Sequence, residues 1–143
     1  VAAESFCAGT GKVFTHFTRS EDRLLQSGKL SEELQRLNIL MSCMQKGDML
    51  LLNESFSSTN EYEGSQIAVE ILQGLLLAGI RVVFVTHFYY LAAYFYNQAR
   101  EDFLFLRAEK DRSGRNVFRL GVGEPLPTAY GQDIYRQVFG ENE

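Results

Sequence analysis

The sequence predicts an α/β layered fold built on a mostly parallel sheet. Short apolar runs alternate with helical patterns in the order strand, helix, strand, helix. Two of these runs, Met49 to Leu52 and Ile80 to Val85, are apolar at consecutive positions, as strands buried on both faces are. Both leave through a polar pair, Asn53-Glu54 and Thr86-His87, with a helical pattern between the two strands. The chain of 143 residues is long enough for one compact core.

The elements follow in order. Lys12 to Thr18 alternates and reads as a short strand, with Val13, Phe14 and Phe17 as its apolar members. Gln26-Ser27-Gly28-Lys29 reads as a loop, and Ser31 as the N-cap of the helix that follows. Leu34, Leu37, Met41 and Met44 share one face of that helix, and Gly47 is its expected terminator. Met49 to Leu52 is a central strand, and Ser55 to Asn60 a polar loop. Asn60 and Glu63 have capping-box spacing and start a second helix. Ile67, Ile71 and Leu75 form one stripe on it, Ala68, Leu72 and Leu76 the adjacent one, and Gly79 ends it. After the strand Ile80 to Val85, Phe88 to Tyr96 forms an aromatic-rich third helix. Asp102 to Ala108 and Asn116 to Leu120 read as strands joined by a turn around Asp111 to Gly114. Ala129 to Phe139, with Tyr130, Ile134 and Val138 as its stripe, is a last helix.

Composition narrows the function. Apolar residues make up 45% and charged residues 22%, the balance of an ordinary globular domain. No segment is apolar enough to span a membrane and Val1 to Gly11 has no signal-peptide pattern, so the expected location is cytoplasmic. The net charge of −4, with acids and bases mixed and no two Lys or Arg adjacent, disfavours direct DNA binding by this chain. Cys7 and Cys43 form no disulfide framework or metal pattern, and His16 and His87 are too sparse for a metal cluster. The opening at Val1 fits a segment of a longer protein.

The chemistry concentrates at the two strand exits. Met49 to Leu52 runs into Asn53-Glu54 and so delivers a carboxylate to the carboxyl end of a buried strand, where open α/β sheets bind ligands. A carboxylate there can orient a water for attack on a phosphate, and a neighbouring oxygen can help hold magnesium. On these six residues alone, a plain polar exit explains the pattern as well. Val83-Phe84-Val85-Thr86-His87 repeats it one helix later, and a right-handed crossover would bring Glu54 and His87 to one crevice. An imidazole there can sense or hydrogen-bond a terminal phosphate.

The ordered set of motifs resembles the DNA mismatch-repair MutS family. Asn53-Glu54, then Ser55 to Thr59, then Tyr62-Glu63-Gly64 resembles its Walker B and D-loop segment. Thr86-His87 resembles its switch histidine, Leu25 to Lys29 its signature loop, Val13-Phe14-Thr15 its Ile-Phe-Thr strand, Val1-Ala2-Ala3 its Val-Pro-Ala, and Ala129-Tyr130-Gly131 its Ser-Tyr-Gly. The resemblance covers nearly the whole chain. It implies a P-loop NTPase-like layered fold of the ABC type, here incomplete: residues 1–143 would be the C-terminal portion of a MutS-type ATPase domain. A P-loop needs Gly, four residues, then Gly-Lys-Ser/Thr; around Gly9-Thr10-Gly11-Lys12 the first position is Phe6 and the last is Val13.

The resemblance also implies roles. Glu54 would be the general base or water-orienting carboxylate, and His87 would contact the γ-phosphate. Asn53 stands where the family usually has its magnesium-associated Asp, and brings an oxygen without a charge. Ser27 and Gly28 would reach the nucleotide held by the opposite subunit, and Thr59 would lie in the D-loop at the dimer interface. The implied cofactors are ATP and Mg2+ in the intact protein. The implied partners are DNA, through other domains, and a second copy through the ATPase domain, with no membrane. The alternative is a non-catalytic interaction or dimerisation module with a degenerate nucleotide site.

Overall fold

The computed structural model describes residues 4, 5, 7, 9, 11–17, 26–110, 116–127 and 139–140. The chain forms two compact units, Val1–Phe88 and Tyr89–Glu143. The expected helix from Ala129, the turn around Asp111, Val1 to Ala3 and Leu25 lie outside the described residues.

The first unit runs β1 (Val13–Phe17), α1 (Gln26–Ser42), β2 (Met49–Asn53), α2 (Glu61–Leu77) and β3 (Arg81–Val85). Its sheet has the order β1-β2-β3, and both pairings are parallel, as the alternating pattern requires. The registers Phe14↔Leu50↔Val82 and His16↔Leu52↔Phe84 define one face of this sheet. Leu50, Leu52 and His16 are almost fully buried there, together with Leu37 of α1 and Ala68, Leu72 and Leu75 of α2. Two successive right-handed crossovers in one direction put both helices on the same side.

The opposite face carries Val13, Phe17, Leu51, Val83 and Val85. Val13, Phe17, Val83 and Val85 are all at least half exposed. Val13 and Phe17 were expected among the apolar members of their strand; they point away from the core that Phe14 and His16 face.

Helix α2 begins as its sequence predicts. The Asn60 side chain accepts from the Glu63 backbone N–H at 3.0 Å, and Glu61 and Glu63 supply the negative first turn that a helix N-terminus favours. Gly79 follows the helix at φ 73. The buried stripe is Gly64, Ser65, Ala68, Leu72 and Leu75, which straddles the two stripes read from sequence.

Two expectations for α1 are corrected. Gln26 to Lys29 is not a loop but the first turn of the helix, so Ser31 is an interior residue and no N-cap. Its hydroxyl accepts from Gln35 one turn on, at 3.4 Å. Leu30 extends the Leu34–Leu37 stripe backwards, so burial continues the helix through a position that local propensity reads as a cap. Nor does Gly47 terminate α1. The helix stops at Ser42, where Cys43 and Met44 donate to Leu40 and Met41 in tightened three-residue turns and the Ser42 hydroxyl takes the Ile39 carbonyl at 2.7 Å.

The second unit holds α3 (Tyr89–Tyr96) and an antiparallel pair, β4 (Leu106–Lys110) and β5 (Asn116–Val122). The strand expected from Asp102 begins at Leu106 instead. Asp102 is held in the preceding turn by the two-pronged Arg100 guanidinium, at 2.8 and 2.6 Å. Phe103 stacks between Phe95 and Phe105, at 5.2 and 6.0 Å, and Leu91 and Phe95 are buried. Part of the aromatic run is therefore core, while Tyr90 remains exposed. Among the described residues no helix is long and apolar enough to cross a membrane.

Candidate functional site

The carboxyl ends of β2 and β3 bring Glu54 and His87 together. The register Asn53↔Val85 sets the two strands level, and the Glu54 N–H continues the ladder onto the Val85 carbonyl at 2.9 Å. Glu54 Oε2 and His87 Nδ1 are hydrogen-bonded to one another. Thr86 shapes the exit from β3, its hydroxyl accepting from the Phe88 N–H at 3.0 Å. The pair is well exposed, and such a pair adds at most about 1 kcal/mol to stability. The fold does not depend on it, so its value lies in what it presents at the sheet edge. Asn53 ends β2, exposed, on the sheet face that Phe17 and Val85 share.

The backbone at this exit is unusual. Glu54 and Phe56 sit at φ 53 and 69, the left-handed region that non-glycine residues rarely adopt. Ser55 between them is fully buried. Its hydroxyl lies 2.9 Å from His16 Nδ1 and donates to the His16 carbonyl at 3.3 Å. Arg36 approaches His16 Nε2 at 3.4 Å. A guanidinium only donates, so Nε2 accepts and Nδ1 carries the proton that goes to Ser55. Burial, and then the Arg36 charge, lower the His16 pKa and favour this neutral form. Phe56 is fully buried with its ring edge-on to Phe84, and its N–H donates to Glu33 Oε1 of α1 at 2.9 Å. Burial raises the Glu33 pKa, against the opposing effect of that N–H.

His16, Glu33 and Ser55 were not picked out from the sequence. A signal existed, since His16 shares the strand period of Phe14 and Glu33 lies one turn before Leu37. Each is a polar residue at a core-facing position.

A pH dependence follows. His16 is neutral in the fold and free to ionise at its ordinary pKa of about 6.5 when unfolded. Its contribution is complete above that value and is lost as pH falls through the lowered folded pKa. Glu33 acts in the opposite sense, favouring the fold as pH falls through its raised value. The urea midpoint of a His16→Gln variant is therefore expected to fall less than the parent's between about pH 7 and pH 5. Identical slopes would contradict the buried neutral imidazole.

The other expected residues lie on separate elements. Ser27 and Gly28 are in the first turn of α1, and a Cβ on Gly28 would meet nothing within 4 Å. The Thr59 hydroxyl is taken by Glu63. Gly64 is sterically required: a Cβ there would stand 2.7 Å from the Phe88 ring and 3.0 Å from the Phe56 carbonyl. Gly64→Ala is expected to cost about 1–3 kcal/mol, read from denaturant unfolding. A neutral effect would mean that the loop and the His87–Phe88 segment are looser than they stand. The rejected P-loop look-alike has a structural explanation too, since a Cβ on Gly11 would meet the Gly47 carbonyl oxygen at 2.3 Å. Asp48 completes that corner, its carboxylate accepting from the Gln45 and Lys12 N–H groups, both at 2.8 Å, which lowers its pKa.

Among the described residues no group of three His, Cys, Asp or Glu side chains could hold a metal. Asn53 and Glu54 offer one neutral and one charged oxygen donor at the edge. Magnesium fits this set only with nucleotide phosphates completing its shell.

The acid–imidazole pair stands on the carboxyl edge of a parallel α/β sheet, the edge at which open α/β folds bind ligands. The chain is similar to a MutS-family protein: it is 27% identical over 134 residues to Endonuclease MutS2 of Carboxydothermus hydrogenoformans. That match covers 90% of the chain, which spans only 17% of that protein's length. No family model matches the chain.

Proposed function

We propose that the chain is the C-terminal portion of a MutS-type ATPase domain and supplies its signature turn, Walker B acid, D-loop and switch histidine. The observation that carries this reading is the meeting of Glu54 and His87 at the ends of neighbouring parallel strands. The uncovered apolar face with Val13, Phe17, Val83 and Val85 supports it further, because parallel sheets are covered on both sides and this one fits within a larger domain.

In this reading Glu54 orients a water and accepts its proton at a carboxylate oxygen. His87, whose Nδ1 is engaged by Glu54, has Nε2 on the far side of its ring for the γ-phosphate. Bound Mg2+ would neutralise charge on the β- and γ-phosphate oxygens. Asn53 would lend that ion a neutral oxygen, a weaker hold than an Asp gives. Ser27, Gly28 and Thr59 would serve a nucleotide shared with a second copy of the domain. DNA would be bound by other parts of the full-length protein.

The 143-residue chain alone is expected to show no ATP hydrolysis, because its sequence has no Gly-x4-Gly-Lys-Ser/Thr loop to cradle the β- and γ-phosphates for Glu54. Phosphate release by the purified chain checks this; steady turnover, abolished by Glu54→Gln, would overturn it. Asn53 favours a second reading, a non-catalytic interaction or dimerisation module with a degenerate site. Equal turnover by the full-length protein and its Glu54→Gln variant would select that reading.

A further inference from the structure

We propose that Glu33 is a positioning residue through which α1 sets the aim of Glu54, an inference that rests on the catalytic reading of Glu54 above. The turn Glu54-Ser55-Phe56 needs an external hold, because two of its three residues are non-glycines in left-handed backbone. Three contacts supply that hold. The Glu54 N–H stays on the sheet through Val85, Ser55 is tied to His16 of β1, and the Phe56 N–H is tied to Glu33. The first two belong to the sheet itself. The third comes from a helix side chain.

Glu33 is also buried. Its side-chain oxygen, accepting the Phe56 N–H, fixes where the buried Phe56 backbone lies. Ser27 and Gly28 lie in the first turn of α1, so Glu33 stands five residues, about 7.5 Å of helix rise, beyond Gly28. A small displacement of α1 therefore acts on the Phe56 N–H, and through two left-handed residues on the direction of the Glu54 side chain. Occupation of the α1 first turn would be transmitted to the acid by this route.

The test uses the full-length protein and a double-mutant cycle. Glu33→Asp draws the acceptor back by one methylene, and misplacing a catalytic group on that scale lowers kcat roughly tenfold or more with KM unchanged. Glu33→Gln keeps an acceptor oxygen in place and is expected to retain kcat within about threefold, which is the rescue a positioning role demands. In the Glu54→Gln background, Glu33→Asp is expected to change the residual rate by less than about twofold, since its target is already gone. Hydrogen exchange in the peptide covering Phe56 is expected to quicken in Glu33→Asp and to be near the parent's in Glu33→Gln, a readout independent of turnover.

Equal losses for Glu33→Asp in both backgrounds, or an unchanged kcat beside an impaired Glu54→Gln, would overturn the positioning role and leave the function of Glu54 standing. An unchanged rate in Glu54→Gln itself would overturn both. If Glu33→Asp does not fold, a tenfold loss in Glu33→Gln with slow Phe56 exchange would overturn the inference, and retained kcat with slow exchange would support it.

Discussion

Glu54→Gln in the full-length protein is expected to lower ATP turnover about a hundredfold or more while nucleotide binding persists, because a positioned general base contributes about 10²–10⁴ in rate. The substitution is nearly isosteric. Gln retains a hydrogen-bonding partner for His87 Nδ1, so the β2–β3 edge keeps its form. What is lost is the charge that, in the proposed function, orients a water and takes its proton. Stability is expected to change little, since the pair is exposed. Steady-state phosphate release checks the rate, and thermal unfolding checks the fold. Turnover within about threefold of the parent would remove Glu54 from the chemistry.

Leu50→Ala is expected to have the largest effect on stability. Leu50 is the second residue of the central strand, on the covered face, fully buried. Truncation removes its transfer free energy and leaves a cavity between two strands and the helix layer, costing about 2–5 kcal/mol. A domain of ordinary stability has only about 5–15 kcal/mol to lose. Val83→Ala, on the open face of the neighbouring strand, is expected to cost under about 1 kcal/mol, because half of that side chain is already in water. Urea unfolding compares the two; equal losses would contradict the division into a covered and an open face.

Much of this arrangement is legible in the sequence, for identifiable reasons. Unbroken apolar runs such as Met49 to Leu52 are strong strand signals, and the polar pairs after them mark the carboxyl edge. Parallel pairing then follows from the intervening helix, so the meeting of Glu54 and His87 was foreseeable. The Asn60 cap was equally plain, because capping is local chemistry. The start of α1 was not: Gln26-Ser27-Gly28 has loop propensity, and only tertiary burial along Leu30, Leu34 and Leu37 makes it helical. Its end was missed because Ser42 stops the helix with its own hydroxyl, ahead of the more conspicuous Gly47. The support beneath the site was hidden for another reason. His16, Glu33 and Ser55 come from three elements, and their complementarity exists only once β1, α1 and the β2 exit converge.

Equilibrium titration of the full-length protein with ATP and Mg2+ tests the central claim most directly. The account predicts saturable binding that favours ATP over ADP, with the preference weakened in His87→Ala and retained in Glu54→Gln. Absence of any nucleotide binding by the folded full-length protein would contradict it.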